Sequence, residues 1–463
     1  MPDPRLPLAQ LITTRDGTLS KDSLMQNMIQ ETQPGKIESV KRPGTPLVQG
    51  GIPAGTPQGM FTLQGQYYTI VNNVVYNVIS RLAYIIPSDP PPGLIFDFIE
   101  DVVFGSGIIT VMKTETYLYT FDGTTVTVHI SMTYPVPTVR GIVLLDGTYY
   151  VMQPDGTIYG SAIQDPTTWT ALNFIGTDPG LGAAVRLFHH LNYALAMSTS
   201  GCQAFYDNAN PPPGSPLSPA SNAVFRIGCA SAASVVSLGD MTIFVSKSAL
   251  TRGRSVSAFS GLSIVTLSSP YVDKILNRSS LLSVYAFGVS TTGHSFYVLN
   301  LLDIGVTLVC DLLEKAWYIW TSNVNGVQQP FQFGFYLNGV VQDLLQHLTD
   351  GSVHALEPSS YTDNGTAIAC RIVTNPFDGG TVTDKFFSAL NLIGDTVQTT
   401  VSVRYSDDDY ESWSAFRPVD MGSKRKQQRG LGKSRRRQFE LLHEDATPLR
   451  LEAIEFDVNL GNT

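Results

Sequence analysis

Eight cationic side chains lie within a fourteen-residue stretch near the C-terminus, and no acidic residue interrupts them. A cluster this dense can bind either the phosphates of DNA or an acidic face of a neighbouring subunit. No aromatic residue is interleaved with the charges, so the stretch offers no stacking platform for single-stranded nucleic acid. We expect it to contact DNA or a protein partner, and we favour an inter-subunit or surface role. The eight residues are Lys424, Arg425, Lys426, Arg429, Lys433, Arg435, Arg436 and Arg437.

The middle of this stretch, Gly432-Lys433-Ser434, matches the end of a phosphate-binding loop. Such a loop needs a glycine five residues before its final glycine, because the backbone there must approach the phosphates closely. Position 427 holds Gln427 instead. The sequence therefore does not support a nucleotide site.

A second group of chemically capable residues, Ser406 to Trp413, contains three consecutive aspartates. The segment resembles the Asp-box, Ser-x-Asp-x-Gly-x-Thr-Trp, a hairpin turn found in sialidase-like propellers. Tyr410 stands where that motif has glycine, and Ser412 where it has threonine. In such a turn an aspartate bonds backbone N–H groups and fixes the loop. Adjacent aspartates point in different directions, which disfavours a shared calcium ion.

The remaining candidates for catalysis or metal binding have unsuitable spacing. His189 and His190 are adjacent and would face opposite sides of a strand, and no Cys–x–x–Cys pair exists. The Gly-x-Ser-x-Gly nucleophile motif is absent. The four cysteines are widely separated, which favours buried free thiols: Cys202, Cys229, Cys310 and Cys370. We therefore expect no catalytic residues, no metal and no cofactor, although distant carboxylates could still meet across a sheet.

Charge is placed unevenly along the 463 residues. The net charge is −9, and the part outside the basic stretch carries −17, because eight positive charges lie inside it. A mostly acidic body repels phosphate, so general coating of DNA is disfavoured. Charged residues make up only 15% of the chain, alongside 40 glycines and 28 prolines. This composition is typical of short strands joined by turns.

Repeated hairpin signals indicate the elements that must position these side chains. Asp146-Gly147 and Asp155-Gly156 each precede residues of high strand propensity, and Asp-Gly pairs favour tight reversals. Similar units recur between residues 60 and 360, roughly 35 to 55 residues apart, which brackets the length of a four-stranded propeller blade. Six or seven blades can be counted. Unrelated β-sandwich domains are the structural alternative.

The chain is thus predicted to be all-β, with three parts. Residues 1–58 are predicted to form an extended N-terminal arm, 59–365 a β-propeller, and 366–463 a C-terminal β-sandwich of alternating strands. The arm is expected to wrap over its own body or to reach a neighbouring subunit. The two candidates for helix are Ser20–Thr32 and Asp343–Leu348.

Several stretches together resemble the tail nozzle, or tail hub, of short-tailed bacteriophages, a family also known as packaged-DNA stabilisation proteins. The likeness spans nearly the whole chain. It is carried by Lys41–Gly44, Ser161–Trp169, Gly228–Ala230, Phe244–Ser246, the hairpin Phe296–Trp320, Tyr405–Trp413 and Arg429–Phe439.

The resemblance implies a structural virion protein of the phage tail, assembled in the host cytoplasm as a homo-oligomer of about six copies. It also implies a tube below the portal-adaptor ring that retains packaged double-stranded DNA, conducts it at ejection, and carries fibres or spikes. The rival class is a carbohydrate-binding or sialidase-like propeller, suggested by the Asp-box-like turn. That turn occurs once and outside the predicted propeller, which argues against the rival. A DNA-binding protein acting through the basic stretch is a third class.

Overall fold

The computed structural model describes residues 5–8, 11–48, 51–88, 90–91, 93–130, 133–211, 213–248, 253–324, 327–339 and 342–461. Strands dominate, and the described part of the chain contains one α-helix, α1 (Pro270–Arg278). Ser269 caps this helix by accepting a bond from the Val272 N–H, and Pro270 occupies its first turn. No helix among the described residues is long and apolar enough to cross a bilayer.

Four short strands precede the propeller in the chain: β1 (Arg5–Pro7), β2 (Leu24–Gln26), β3 (Met28–Gln33) and β4 (Lys36–Lys41).

The next sixteen strands form four antiparallel blades, each built from four strands that follow one another in the chain. Blade 1 comprises β5 (Pro57–Leu63), β6 (Gln66–Val71), β7 (Val74–Asn77) and β8 (Ala83–Ile85). Blade 2 comprises β9 (Asp97–Phe104), β10 (Gly107–Lys113), β11 (Leu118–Phe121) and β12 (Val126–His129). Blade 3 comprises β13 (Val143–Leu145), β14 (Thr148–Met152), β15 (Thr157–Ala162) and β16 (Asp165–Gly176). Blade 4 comprises β17 (Ala184–His190), β18 (Tyr193–Ser198), β19 (Cys202–Asp207) and β20 (Leu217–Phe225).

Two further blades and a shorter sheet complete the ring. Blade 5 comprises β21 (Ile227–Cys229), β22 (Val236–Leu238), β23 (Met241–Ser248), β24 (Arg254–Ser260) and β25 (Ser263–Thr266). Blade 6 comprises β26 (Val284–Thr291), β27 (His294–Leu301), β28 (Val306–Asp311) and β29 (Ala316–Ile319). After the hairpin of β30 (Thr321–Val324) and β31 (Val327–Pro330) comes the closing sheet: β32 (Phe333–Leu337), β33 (Asp343–His347) and β34 (Val353–Leu356).

The turn chemistry explains the hairpins. Asp146 and Gly147 both have positive φ, 44° and 86°, which is the type I′ geometry that matches the twist of paired strands. Asn72 and Asn73 make the same kind of turn, with φ of 50° and 60°. The Asp-Gly signal therefore predicted its hairpin correctly.

Apolar clusters fill the space between neighbouring sheets, and the cluster between blade 6 and the closing sheet continues into the sandwich. Between blades 1 and 2 it is aromatic, with the rings of Phe61 and Phe98 5.0 Å apart and those of Tyr68 and Phe121 5.1 Å apart. Between the closing sheet and blade 1, Leu344 packs with Tyr67. Because every interface is packed in this way, the sheets form a closed ring, and the predicted propeller is confirmed.

The segment 44–48 ties the ends of the ring together. It runs beside β34 on the outer side of the closing sheet, where the Val48 N–H donates to Val353 O and the Ala355 N–H to Pro46 O, both at 2.9 Å. A stretch from before blade 1 thus supplies an outer strand to the last sheet. The ring cannot open without breaking these bonds.

A two-stranded hairpin of β35 (Thr362–Asp363) and β36 (Thr366–Ala367) follows the closing sheet. The remaining strands complete a two-layer sandwich. They are β37 (Cys370–Val373), β38 (Lys385–Gly394), β39 (Thr400–Ser406), β40 (Arg417–Asp420), β41 (Gln427–Arg429), β42 (Lys433–Ser434), β43 (Gln438–His443) and β44 (Arg450–Leu460). One layer has the order β3-β4-β44-β38-β41, with β1 on β44 and β42 on β38. The other, β2-β37-β43-β39-β40, continues from blade 6, because β2 lies parallel to β29.

Residues assigned to the N-terminal arm from the sequence are therefore divided between the sandwich and the propeller. The two helix candidates were wrong: Ser20–Thr32 contains β2 and most of β3, and Asp343–Leu348 contains β33. In the first, Asn27 adopts φ 57° between two strands, so the apolar residues around it face two different sheets instead of one helix face.

Candidate functional site

The basic segment, Lys424 to Arg437, lies at one edge of the sandwich. Its strands β41 and β42 both pair with β38, and Gly430 and Gly432 separate them with φ of 68° and 75°. Between these glycines, Leu431 is buried in the sandwich core. The segment is thus held to the sheet edge along its length. Lys433 and Ser434 form a strand and do not open a helix, which agrees with the absence of a phosphate-binding loop.

Arg437, predicted from the sequence as a contact residue, points into the protein. Its side chain is 1% exposed, and Nε and Nη2 each donate to Asp407 at 2.7 Å, while Nη1 donates to Leu431 O at 2.8 Å. The guanidinium also lies 3.9 Å from the centre of the Tyr405 ring. The prediction that Arg437 touches a partner or DNA is therefore wrong, because this arginine is buried and all three of its guanidinium nitrogens are hydrogen-bonded within the protein.

The other seven cations of the basic segment differ in their accessibility. Lys426 is half-buried and donates to Gly394 O and Thr396 Oγ1, both at 3.0 Å. Lys433 and Arg435 share the single carboxylate of Asp384, at 3.2 Å and 3.3 Å, and stay largely exposed. Four side chains are exposed without an ion pair among the described residues: Lys424, Arg425, Arg429 and Arg436.

The Asp-box-like turn between β39 and β40 uses each of its aspartates differently. Asp408 accepts from the Ser412 N–H at 2.9 Å, and hydrogen bonds from Ser412 lower the pKa of Asp408 to about 2. Asp407 binds Arg437, and Asp409 binds Arg15 with an Oδ1–Nη2 distance of 2.6 Å. The three carboxylates diverge, as expected from their adjacency.

Tyr410 takes the glycine position of the turn at a φ of 67°. The left-handed region is strained for a bulky residue, so packing must hold it there. Its ring is buried in the cluster between blades 5 and 6, and its hydroxyl donates to Thr374 O at 2.9 Å. The turn is therefore a structural joint between the sandwich and the propeller.

Replacing Tyr410 with phenylalanine is expected to lower the free energy of unfolding by about 1 kcal/mol, because the buried Thr374 carbonyl loses its donor. Urea denaturation measures the change. Tyr206→Phe, at an exposed tyrosine, serves as the control and should change stability by less than about 0.5 kcal/mol. Equal effects of the two substitutions would contradict the structural importance of this hydroxyl.

The pair Lys41-Arg42, noted in the sequence only within the family-like arm, joins the arm to the sandwich and the propeller. The Arg42 side chain is 0% exposed and its Nη1 and Nη2 reach Asp363 at 3.1 Å and 2.5 Å. Nε donates to Asn27 Oδ1 at 3.0 Å, and Nη2 to Thr321 O at 2.7 Å. A Cβ at Gly44 would lie 2.5 Å from Thr362 O, so only glycine fits beside this cluster.

A second buried ionic cluster lies at the axis of the propeller. Asp97 in β9 accepts from Arg140 at 2.9 Å and 2.8 Å, from the Gly141 N–H at 2.7 Å, and from Arg186 in β17 at 3.3 Å. The three charged residues belong to blade 2, the segment entering blade 3, and blade 4. This cluster was not predicted from the sequence. More than forty residues separate each member from the next along the chain, and no local motif marks them.

The candidate thiols and imidazoles do not form a site. All four cysteines are free and buried, and burial raises the pKa of Cys229 to about 12 and that of Cys370 to about 11. His190 is buried between Thr242 Oγ1 and Gly261 O, whereas His189 is exposed. Within the described residues, no group of three or more histidine, cysteine or acidic side chains is placed to hold a metal ion.

Several solved structures resemble the chain weakly. The crystal structure of the computationally designed Ika8 protein has a TM-score of 0.40 and 10% identity, covering 68% of this chain and 99% of that one. The Neurospora crassa Pan2 WD40 domain has a TM-score of 0.43 and 10% identity, covering 68% and 95%. BamB from Moraxella catarrhalis has a TM-score of 0.36 and 11% identity, covering 77% and 96%. At these scores the likeness carries no argument about function.

No curated protein matches the chain. A family model described as the bacteriophage P22 Gp10 β-propeller, a phage stabilisation family, matches residues 21–347, which is more than half of the sequence. This span starts three residues before β2, the strand that joins the sandwich to blade 6, and extends into the closing sheet. The chain therefore belongs to the P22 Gp10 β-propeller family of bacteriophage structural proteins.

Proposed function

We propose that the protein is a non-enzymatic component of the phage tail, and that about six copies assemble into a nozzle or hub below the portal-adaptor ring. The assembled tube would retain packaged double-stranded DNA, conduct it at ejection, and carry fibres or spikes on its outer surface. The observation that carries the proposal is the match to a phage stabilisation family along residues 21–347.

The closed ring supports a mechanical role. Seven apolar clusters join neighbouring sheets, and segment 44–48 bonds the last sheet to the chain before the first. A body whose sheets are all interlocked resists local opening. The acidic remainder of the chain, at −17 outside the basic segment, would let DNA pass without adhering to the wall.

In this proposal the exposed face of the basic segment docks on an acidic face of the next copy. Asp384 already offsets part of the charge of Lys433 and Arg435. The uncompensated charge is therefore on Lys424, Arg425, Arg429 and Arg436, and complementary charges favour association and fix its register. DNA contact by the same face is the alternative outcome.

The double variant Arg425→Glu/Arg436→Glu is expected to weaken self-association at least tenfold, because like charges then meet across the contact. Analytical ultracentrifugation measures the association, and electron microscopy shows whether rings form. The control Lys247→Glu/Lys315→Glu makes the same change of charge at exposed positions in blades 5 and 6 and should assemble normally.

Three results would decide against the proposal. A protein that stays monomeric at all concentrations and is absent from tails would exclude a nozzle. Normal assembly of the double variant with weakened, less salt-dependent DNA binding would assign the basic segment to DNA. Binding or hydrolysis on a glycan array would place the chain in the carbohydrate-active class.

A further inference from the structure

A cavity of about 540 Å³ lies on the propeller axis. Five blades, the segment entering blade 3 and the closing sheet contribute lining residues, and the polar side of the wall is formed by Asp97, Arg140 and Arg186. Aromatic residues, Phe188 and Tyr285 among them, form much of the rest. The volume is within the range of small-molecule sites.

Positive charge exceeds negative charge around this cavity. Arg140 and Arg186 both face Asp97, and Lys113, fully buried behind the wall, donates to Val139 O at 2.6 Å. Burial lowers the pKa of Lys113 to about 8 and that of Arg186 to about 10, so both remain mostly charged at neutral pH. Glu115, the other carboxylate acting on Lys113 and Arg140, is exposed. Three cations thus surround one buried carboxylate.

Arg186 is the cation with spare hydrogen-bonding capacity. Arg140 binds Asp97 with two short bonds, whereas Arg186 reaches the same carboxylate through one longer contact and donates to Ala232 O at 2.6 Å. Its Nε is sealed from solvent and makes no hydrogen bond among the described residues, so the N–H groups left for a ligand are the second ones of Nη1 and Nη2. Its guanidinium is held 5.1 Å from the Phe188 ring centre, which fixes the plane of the donors.

Unbalanced charge at a largely buried site is costly, and a bound anion beside Arg140 and Arg186 would offset it. The planar fork of an arginine suits the paired oxygens of a phosphate or a carboxylate. We propose that the axial cavity binds a small oxyanion, phosphate or carboxylate, through Arg186 and Arg140, and so joins blade 4 to the segment that enters blade 3.

Calorimetric titration of the full-length protein with sodium phosphate, against sodium chloride at equal ionic strength, tests this site. We expect one phosphate per chain to bind saturably, and acetate to compete. Arg186→Gln should weaken binding about tenfold or more, since a charge-assisted hydrogen bond is lost. In this variant Asp97 retains its ion pair with Arg140. Circular dichroism checks that the variant protein folds.

Two further variants keep the result interpretable. Arg186→Lys retains the charge without the fork and should bind with intermediate affinity, whereas Arg226→Gln, at an exposed arginine in another ion pair, should bind as the wild type. Absence of saturable phosphate binding, or unchanged affinity in Arg186→Gln, would overturn the proposal. The cavity lies within one propeller, so failure of the tail assembly test leaves this outcome unaffected.

Discussion

Arg42→Met should lower the free energy of unfolding by about 3–5 kcal/mol, because it leaves the carboxylate of Asp363 buried without its cation. Asp363 is only 7% exposed and would retain one donor, the Thr45 hydroxyl at 2.8 Å. The carbonyl of Thr321 and the amide oxygen of Asn27 would also lose a donor. All of these groups lie where the N-terminal strands meet the propeller and the sandwich. Loss of the bonds between them should therefore destabilise both the propeller and the sandwich.

Urea unfolding followed by tryptophan fluorescence suits this measurement, since the Arg42 guanidinium lies 5.9 Å from the ring centre of the buried Trp320. The double variant Arg42→Met/Asp363→Asn should recover much of the loss, because the buried charge is gone and the amide can still accept from Thr45. The control Arg5→Met breaks an exposed pair with Glu455 and should cost less than about 1 kcal/mol. A loss below 1 kcal/mol in Arg42→Met would refute the role assigned to this cluster.

The parts of the fold that were predictable are those with local causes. Type I′ turns such as Asp146-Gly147 determine their own hairpins, since positive φ at two successive residues is a property of the turn sequence. Blades built from consecutive strands then follow from the repetition of such hairpins. The β-propeller class could therefore be predicted from the sequence alone.

The pairing partners of the N-terminal segment are not determined by its own sequence. Residues 41–55 are rich in proline and glycine and show no periodicity, yet 44–48 pair with β34, about 300 residues later. Likewise, β2 and β3 have an apolar spacing that also fits a helix, and the sheets on either side decide the outcome. Pairing partners so distant in the chain leave no signal in either segment.

The candidate site, too, was only partly predictable from the sequence. A dense run of like charge was interpreted as one surface, but the chain bends between β42 and β43, and its side chains there point in different directions. Arg437 directly precedes β43 and faces the core, while Arg435 and Arg436 face solvent. The pairing of Asp407 with Arg437, thirty residues apart, needed the structure to be seen.

Arg437→Ala is accordingly expected to destabilise the protein by about 2–4 kcal/mol, whereas Arg435→Ala/Arg436→Ala should cost less than about 0.5 kcal/mol. The first change removes the double hydrogen bond to Asp407, the donor to Leu431 O, and the packing of the guanidinium on Tyr405. Asp407 remains 38% exposed and is partly hydrated when alone, which makes this loss smaller than at Arg42. Urea denaturation of the two variants measures and compares their free energies of unfolding.

The same variants separate loss of a surface contact from loss of stability. A triple replacement of Arg435, Arg436 and Arg437 would combine the two effects. Weaker DNA retention or assembly in the triple variant could arise from unfolding of the sandwich edge alone. If the solvent-facing pair makes the contact, Arg435→Ala/Arg436→Ala should lower association or DNA retention at unchanged stability. Arg437→Ala should lower stability and leave the salt dependence of DNA binding unaltered, because a fully buried cation displaces no counterion from a phosphate. Equal stability of the two variants would mean that Arg437 is not the buried anchor of the basic segment.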